Sequence, residues 1–544
     1  MYRRLFFLVL VVCAFTYTDN YSHSAEIGPL LQKENLVYKG AFRVPAGNLG
    51  GESKRSNTLG FGGGCLTYNK TRNSLYISTY ERLILELSIP KPIISNNISD
   101  LNTATLLQYP VDLTSGNYDN LKEDRTPITN GGVPGGFLLY NNKLVGSAYA
   151  YYDGAYQGTY SHFTASPNWI ADGKQFKGLQ KVGVNPINPT SVNGGFVGGY
   201  MCAIPQEWQA TFGGPALTGK GAISVIGRSS TGPCAWVFNP DAIAENTTCP
   251  AKILLGYPSG HTTLGAYTDV SNLYYNRTAE YNGMVFPSGS SSILFFGRIG
   301  LGVTGEGDSC YGSNIADASK HYTFPNEQVV TSVTPNELKV AQLTFTIPSG
   351  LNILAGVGVT AKPTANLNYH VSGTVTSYSG TSLVINVAWD KVLGEGTGFY
   401  NNWQIHIAGT TGEGSVPYCY DLVYNTKGPH AYPYIYQAVA YDANDLAKVQ
   451  NAITNPSTGQ PYQPWDLKPY SRWVFDFPFA NPNGRVLGVA YDSSTQTLFI
   501  SQDSGDKNGL DPLPIIYVYQ ITIPSKPQVF ISAPTNLTAP PLNK

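Results

Sequence analysis

The sequence predicts an all-β chain, a β-propeller of about seven blades (six or eight being the neighbouring counts) with a small β-domain inserted late. Three observations carry this. Residues 65–78 read CLTYNKTRNSLYIS and residues 488–501 read GVAYDSSTQTLFIS, so that Tyr68, Leu75, Ile77 and Ser78 fall on Tyr491, Leu498, Ile500 and Ser501, and Asn69 falls on Asp492. Each copy is an apolar strand, a polar turn and a second strand in period-two alternation, the pattern of a hairpin within a β-repeat. Its recurrence across a long chain points to a ring of small sheets. Second, 58 glycines and 37 prolines accompany only 13% charged residues, which suits short strands joined by many loops. Third, 544 residues exceed one ordinary core, whereas a ring whose blades bury their own faces absorbs that length. At roughly 40 to 65 residues per blade, the chain left after its ends and insertion are set aside holds about seven to ten.

The elements follow in order. Residues 1–25 begin MYRRLFFLVLVVCAF, two arginines before a short apolar run and a polar stretch, the layout of a secretory leader and too short to span a bilayer stably. The first part of the propeller occupies 26–342. It opens with NLVYKGAFRVP (Asn35 to Pro45), a strand expected to complete the last blade and so leave no sheet edge open. The first clear blade runs from Gly60 to Pro90; strand pairs follow in 135–152, 198–227 and 284–300, with CAWVFN at 234–239. Asn141-Asn142 and Ser288-Gly289 stand where tight hairpin turns belong. The inserted module spans 343–407, with evenly spaced strands and Ser-Gly turns. The ring resumes over 408–530 with YIYQAVAYD, RWVFDFPF and the second copy of the repeat, and 531–544 form a tail. Only Ala443 to Ile453 reads as helical.

Net charge is −1, with acids and bases evenly mixed, so no field gathers a polyanion and nucleic acid is excluded as a partner. No other segment is long and apolar enough for a transmembrane span in the mature chain. Oligomeric state is left open. With Cys13 in the leader, six cysteines remain: Cys65, Cys202, Cys234, Cys249, Cys310 and Cys419. An even count in an exported chain is compatible with disulfides. Cys234 with Cys249 closes a short loop, and Cys310 with Cys419 would clamp the base of the insertion; Cys65 and Cys202 are the remaining two. Zinc is disfavoured, since no CxxC or paired histidine spacing accompanies the thiols.

The segments VSGTVTSYSGTSLVINV (Val371 to Val387) and GTGFYNNWQIHI (Gly396 to Ile407) resemble the small β-module of bacteriophage tail and fibre proteins. That resemblance covers the insertion alone and implies surface attachment. The remaining chain, through GAFRVP, YNKTRNSLYIS, KGPHAYPYIYQAVAYDANDL and VAYDSSTQTLFISQ, resembles secreted bacterial β-propeller proteins, a likeness that brings no activity with it.

Four groups of residues are candidates for function. In KGPHAYPYIYQ an extended backbone places His430, Tyr432, Tyr434 and Tyr436 on one face, able to stack on sugars and to present an acid or base. Aromatic packing between blades is the competing reading. Arg298 ends the strand SILFFG, where a buried charge needs a partner or a channel. A cation beside a Tyr or His base is what β-elimination from a uronate requires. An ion pair with a nearby carboxylate is the plainer reading. His162 follows a tyrosine-dense run that includes Tyr149 and Tyr151 and is expected either at the channel mouth or as a solvated loop residue. With Tyr436 and Trp403, Tyr149 and Tyr151 are the expected glycan contacts. Asp503, Asp506, Asn508 and Asp511 in DSGDKNGLD have a composition suited to calcium, without the spacing of an EF-hand, against an ordinary polar hairpin. No GxSxG, HExxH or P-loop occurs. The expected function is a secreted or cell-surface propeller that binds glycans or another extracellular surface. The alternatives are a polysaccharide lyase or glycoside hydrolase acting through His430, Tyr432, Tyr434, Arg298 and His162, and a structural envelope or matrix protein.

Overall fold

The computed structural model describes residues 28–52, 57–129, 131–183, 194–224, 229–259, 261, 263–264, 273–300, 310–312, 323–327, 340–347, 349–350, 353, 355–356, 358–363, 371–388, 402–407, 428–430, 434–481, 484–507 and 511–525. The expected leader (1–25) and C-terminal tail (531–544) lie wholly outside them. In chain order the strands are β1 Leu36–Arg43, β2 Gly64–Asn69, β3 Ser74–Ser78, β4 Ile84–Ser88, β5 Leu106–Val111, β6 Gly132–Tyr140, β7 Lys143–Ala150, β8 His162–Ala165, β9 Lys177–Val182, β10 Met201–Ala203, β11 Ala216–Thr218, β12 Ala235–Phe238, β13 Thr248–Cys249, β14 Ala251–Leu255, β15 Glu280–Val285 and β16 Ser292–Gly300. They continue with β17 Cys310–Gly312, β18 Thr323–Glu327, β19 Val340–Thr346, β20 Gly358–Pro363, β21 Val371–Ser379, β22 Ser382–Ala388, β23 Asn402–Ile407, β24 Gly428–His430, β25 Tyr434–Asp442, β26 Ser471–Phe475, β27 Val486–Asp492, β28 Thr497–Asp506 and β29 Leu513–Ile521.

The protein is all-β, with few and short helices. Five sheets have one plan: β2-β3-β4-β5, β6-β7-β8-β9 (extended by β13), β10-β11-β12-β14, β15-β16-β25-β26 and β27-β28-β29-β1. In the last, the N-terminal strand pairs antiparallel with β29 from Leu36↔Ile521 to Arg43↔Ile515, as its sequence leads one to expect. The two copies of the fourteen-residue repeat occupy equivalent places, the first and second strands of two neighbouring sheets. Their registers match: Tyr68 faces Leu75 and Tyr491 faces Leu498. The shared Asn69 and Asp492 do the same work, each accepting a backbone N–H two residues on (Thr71 at 3.1 Å, Ser494 at 3.0 Å) and so fixing the turn.

The first strands of the sheets are neighbours: β2 lies beside β27 and β6, β10 beside β6 and β15, and β15 beside β27. Glycine permits this approach. A Cβ on Gly135 would stand 1.8 Å from the carbonyl oxygen of Gly198, and one on Gly283 would stand 2.5 Å from Val489 Cγ2. Chain length leads one to expect seven blades, whereas the described residues form five sheets of this plan. Residues 301–342 and 408–433, which the per-blade estimate counts as blade, hold among the described residues only β17, β18, β24 and the start of β19, none of them in a sheet of this plan.

The insertion leaves and rejoins one sheet at a single rung, since β16 and β25 pair from Ser292↔Asp442 to Gly300↔Tyr434. Between those ends, β17 and β24 form a two-stranded ladder, and a six-stranded sheet has the order β18-β23-β20-β21-β22-β19. The sequence places this module at 343–407. The sheet also takes in β18, which pairs the free edge of β23 from Thr323↔His406 to Glu327↔Asn402. Helix Ala443–Gln450 is present and capped by Asp442, whose side chain accepts from Asn444 N. Among the described residues no helix is long and apolar enough to cross a membrane.

Candidate functional site

Strand direction alternates within each sheet, so the connections from second to third strand and from fourth strand to the next first strand share one end of the molecule. That end carries the longer loops and the insertion. It also carries a cluster of charged side chains drawn from three sheets. Glu280 opens β15 and faces Arg298 near the end of β16. Arg298 Nη2 donates to Glu280 Oε1 at 2.9 Å, and its guanidinium lies 4.5 Å from the centre of the Tyr434 ring. Arg485, just before β27, donates from Nε to Asp503 Oδ2 at 3.2 Å and from its backbone N–H to Asp503 Oδ1 at 2.6 Å. Lys220 follows β11; its Nζ donates to Ser224 Oγ and, at 3.0 Å, to the carbonyl oxygen of Ser230.

These groups feel one another. Burial pushes the Glu280 carboxyl up, but the charges of Arg298, Arg485 and Lys220 outweigh it and hold it below the usual carboxylate range. Asp503 goes the other way: its burial raises it despite Arg485 and Arg298. Burial lowers the Lys220 ammonium to about 8, against a smaller opposing pull from Cys234 and Glu280. Tyr149, at the end of β7, is raised by burial, with Glu280 adding to the shift and Arg485 opposing it. Lys220, Glu280, Arg298, Arg485, Asp503 and Tyr149 thus form one cluster whose charges act on each other at this end of the molecule.

Aromatic side chains stand on the same end. Phe61 and Tyr80 flank β2 and β3, meeting edge to face with centroids 6.5 Å apart. Tyr151, Tyr152 and Tyr156 follow β7. Among the described residues six aromatic side chains are strongly exposed, namely Phe61, Tyr80, Tyr109, Tyr151, Tyr152 and Tyr156, and only Tyr109 lies away from this end. These five side chains all lie on loops at the end that carries the charged cluster.

The residues singled out from sequence are distributed unevenly. Arg298, Tyr434, Tyr149 and Asp503 join the charged cluster, and Tyr151 lies in the loop that follows β7. Tyr436 is buried, its hydroxyl donating to the carbonyl oxygen of Asn481 at 2.6 Å. His430 pairs through its backbone with Cys310, Trp403 lies in β23 opposite Asn326, and Tyr432, Cys419 and Asn508 fall outside the described residues. His162 is neither at a mouth nor solvated. It is fully buried on β8, with Nδ1 2.9 Å from Ser161 Oγ and Nε2 3.1 Å from Thr218 Oγ1, and burial lowers it to about 3. The proposed bond between Cys234 and Cys249 is absent; Cys65, Cys202, Cys234 and Cys249 are all free thiols. The reason is topological. Cys249 sits on β13, which leaves its chain neighbours to pair with β9 in the adjacent sheet, while Cys234 leads into β12. Asp503 and Asp506 are each held by an arginine, Asp506 by Arg43 Nε at 2.7 Å, and Asp511 is exposed beside Gly60. Among the described residues no group of three or more His, Cys, Asp or Glu could hold a metal ion.

Sequence reasoning missed Lys220, Glu280 and Arg485. Each is a lone charge beside glycine or a loop, and the only trace in the sequence is its place at the end of an apolar strand. No family model and no curated protein matches the chain. Among solved structures it is similar to the crystal structure of the Myceliophteria thermophila Cps50 (Swd1) beta-propeller domain, at 8% identity over 90% of this chain and 100% of that one, with a TM-score of 0.21.

Proposed function

We propose that the five sheets are the blades of one closed propeller ring and that its loop-bearing end is an extracellular glycan-binding surface. The observation that carries the reading is the shared location of five exposed aromatic side chains and the charged cluster. Aromatic faces bind the apolar faces of sugar rings, and tyrosine adds a hydroxyl at little conformational cost. Export is supported by the arginine-led apolar N-terminus. The likeness of the insertion to phage tail modules supports attachment as its role, and its departure from Gly300 sets it on the same end of the ring. Five blades, rather than the seven expected, account for the glycines that let first strands touch. The lyase alternative draws less support, because Arg298 is committed to Glu280 and His162 is locked in the core.

The test is retention on an array of extracellular polysaccharides, read for the native protein and for Tyr80→Ala and Tyr151→Ala. Each substitution removes an exposed aromatic face and should weaken retention several-fold while leaving thermal stability unchanged. Retention that both variants keep in full would overturn the reading, as would release of unsaturated, ultraviolet-absorbing products in place of binding.

A further inference from the structure

We infer that Lys220 is the receptor for an anionic group, and that the ligand class is an acidic saccharide whose carboxylate supplies the counter-charge that Lys220 lacks among the described residues. The inference rests on the glycan-binding reading and names the sugars it favours. Of the three cations in the cluster, Arg298 has Glu280 and Arg485 has Asp503 at ion-pair distance. Lys220 has no carboxylate within that distance among the described residues, although it is only 5% exposed.

Its hydrogen bonds go to neutral oxygens. An ammonium has three N–H donors. One goes to Ser224 Oγ and one to the carbonyl oxygen of Ser230. Ser224 spends its own proton on that carbonyl at 2.6 Å, so it meets Lys220 only as an acceptor. The third N–H has no acceptor among the described residues. Among the described residues the cluster pairs two carboxylates with two of its three cations, and Lys220 is the third. A buried ammonium without a counter-ion is costly. A saccharide carboxylate brings one negative charge and two acceptor oxygens, while the aromatic rim takes the ring that bears it.

The experiment measures binding of two probes by calorimetry: a uronic acid oligosaccharide, and the same oligosaccharide with its carboxyl groups reduced to primary alcohols. Native protein should prefer the acidic probe by roughly 10- to 100-fold, the range of one charge-assisted contact. Lys220→Met, similar in length and uncharged, should bind both probes alike, at the native affinity for the reduced one. Lys220→Arg should keep part of the preference. Equal binding of the two probes by native protein overturns the inference while leaving the glycan reading standing, and that comparison needs no variant. A full preference retained by Lys220→Met also overturns it. Binding of neither probe, with no retention on the polysaccharide array, removes the glycan reading itself.

Discussion

Replacing Lys220 with methionine should stabilise the protein at neutral pH, against the usual direction for a buried position. The ammonium is held at about 8 in the folded chain against 10.5 for an ordinary lysine, and burial is the main cause. A displacement of that size corresponds to about 3 kcal/mol favouring the unfolded state wherever the lysine is charged in both states. The sign follows from proton counting. Between about 8 and 10.5 the unfolded chain holds a proton that the folded chain has lost, so native stability rises with pH across that window. Methionine removes the penalty and fills nearly the same volume, at the expense of two hydrogen bonds to neutral oxygens, each worth about 1 kcal/mol. The net gain is thus about 1 kcal/mol below pH 8, and it should shrink and reverse as pH climbs toward 10.5. Urea unfolding of both proteins at pH 7 and pH 9.5 measures it. A loss of stability at pH 7, or a difference between the two proteins that stays constant with pH, would refute the claim that Lys220 is buried as an uncompensated charge.

Three further outcomes are expected. His162 is lowered by burial from 6.5 to about 3, so the unfolded chain binds a proton first as pH falls. Stability should drop by about 1.4 kcal/mol per unit below pH 6, and His162→Gln should flatten that part of the unfolding curve. Gly135→Ala places a Cβ 1.8 Å from the carbonyl oxygen of Gly198, which is backbone and cannot swing aside. The variant should lose soluble expression, and a folded, native-like circular dichroism spectrum from it would contradict the packing of β6 beside β10. Cys65, Cys234 and Cys249 are buried thiols pushed up to about 12, 12 and 11, and Cys202 is raised as well. These four should resist a thiol-reactive dye in native protein and react in denaturant without reductant; a requirement for reductant would mean that they are bridged.

The local units are legible in the sequence itself. Period-two alternation identified the strands, and the recurrence of Tyr68-Asn69 as Tyr491-Asp492 identified two equivalent hairpins, because turn and register are fixed by residues a few positions apart. The closing N-terminal strand was legible for the same reason: an apolar strand at one terminus and an unpaired edge at the other. The five like sheets of the described residues were not, since loop length is invisible to a per-blade estimate. The pairing of thiols failed because strand β13 crosses to a neighbouring sheet, and no spacing rule records that crossing.

The site divides along the same line. Arg298 could be singled out because a charge ending the apolar run SILFFG must find a partner within a few ångströms. Its partner Glu280, eighteen positions earlier, and the companions Lys220, Arg485 and Asp503 meet only where the ends of separate strands converge. His162 was misplaced because tyrosines crowded around it in the chain, while its burial is set by Thr218 and Phe238 from the next sheet. Sequence alone therefore determined the β-strands, the hairpin turns and the low-charge, aromatic character of the surface, which depend on neighbours along the chain. Only the tertiary structure decided which charges are paired, which thiols stay free and which end of the molecule gathers the charged and exposed aromatic side chains, because those depend on distances between residues that the chain keeps far apart.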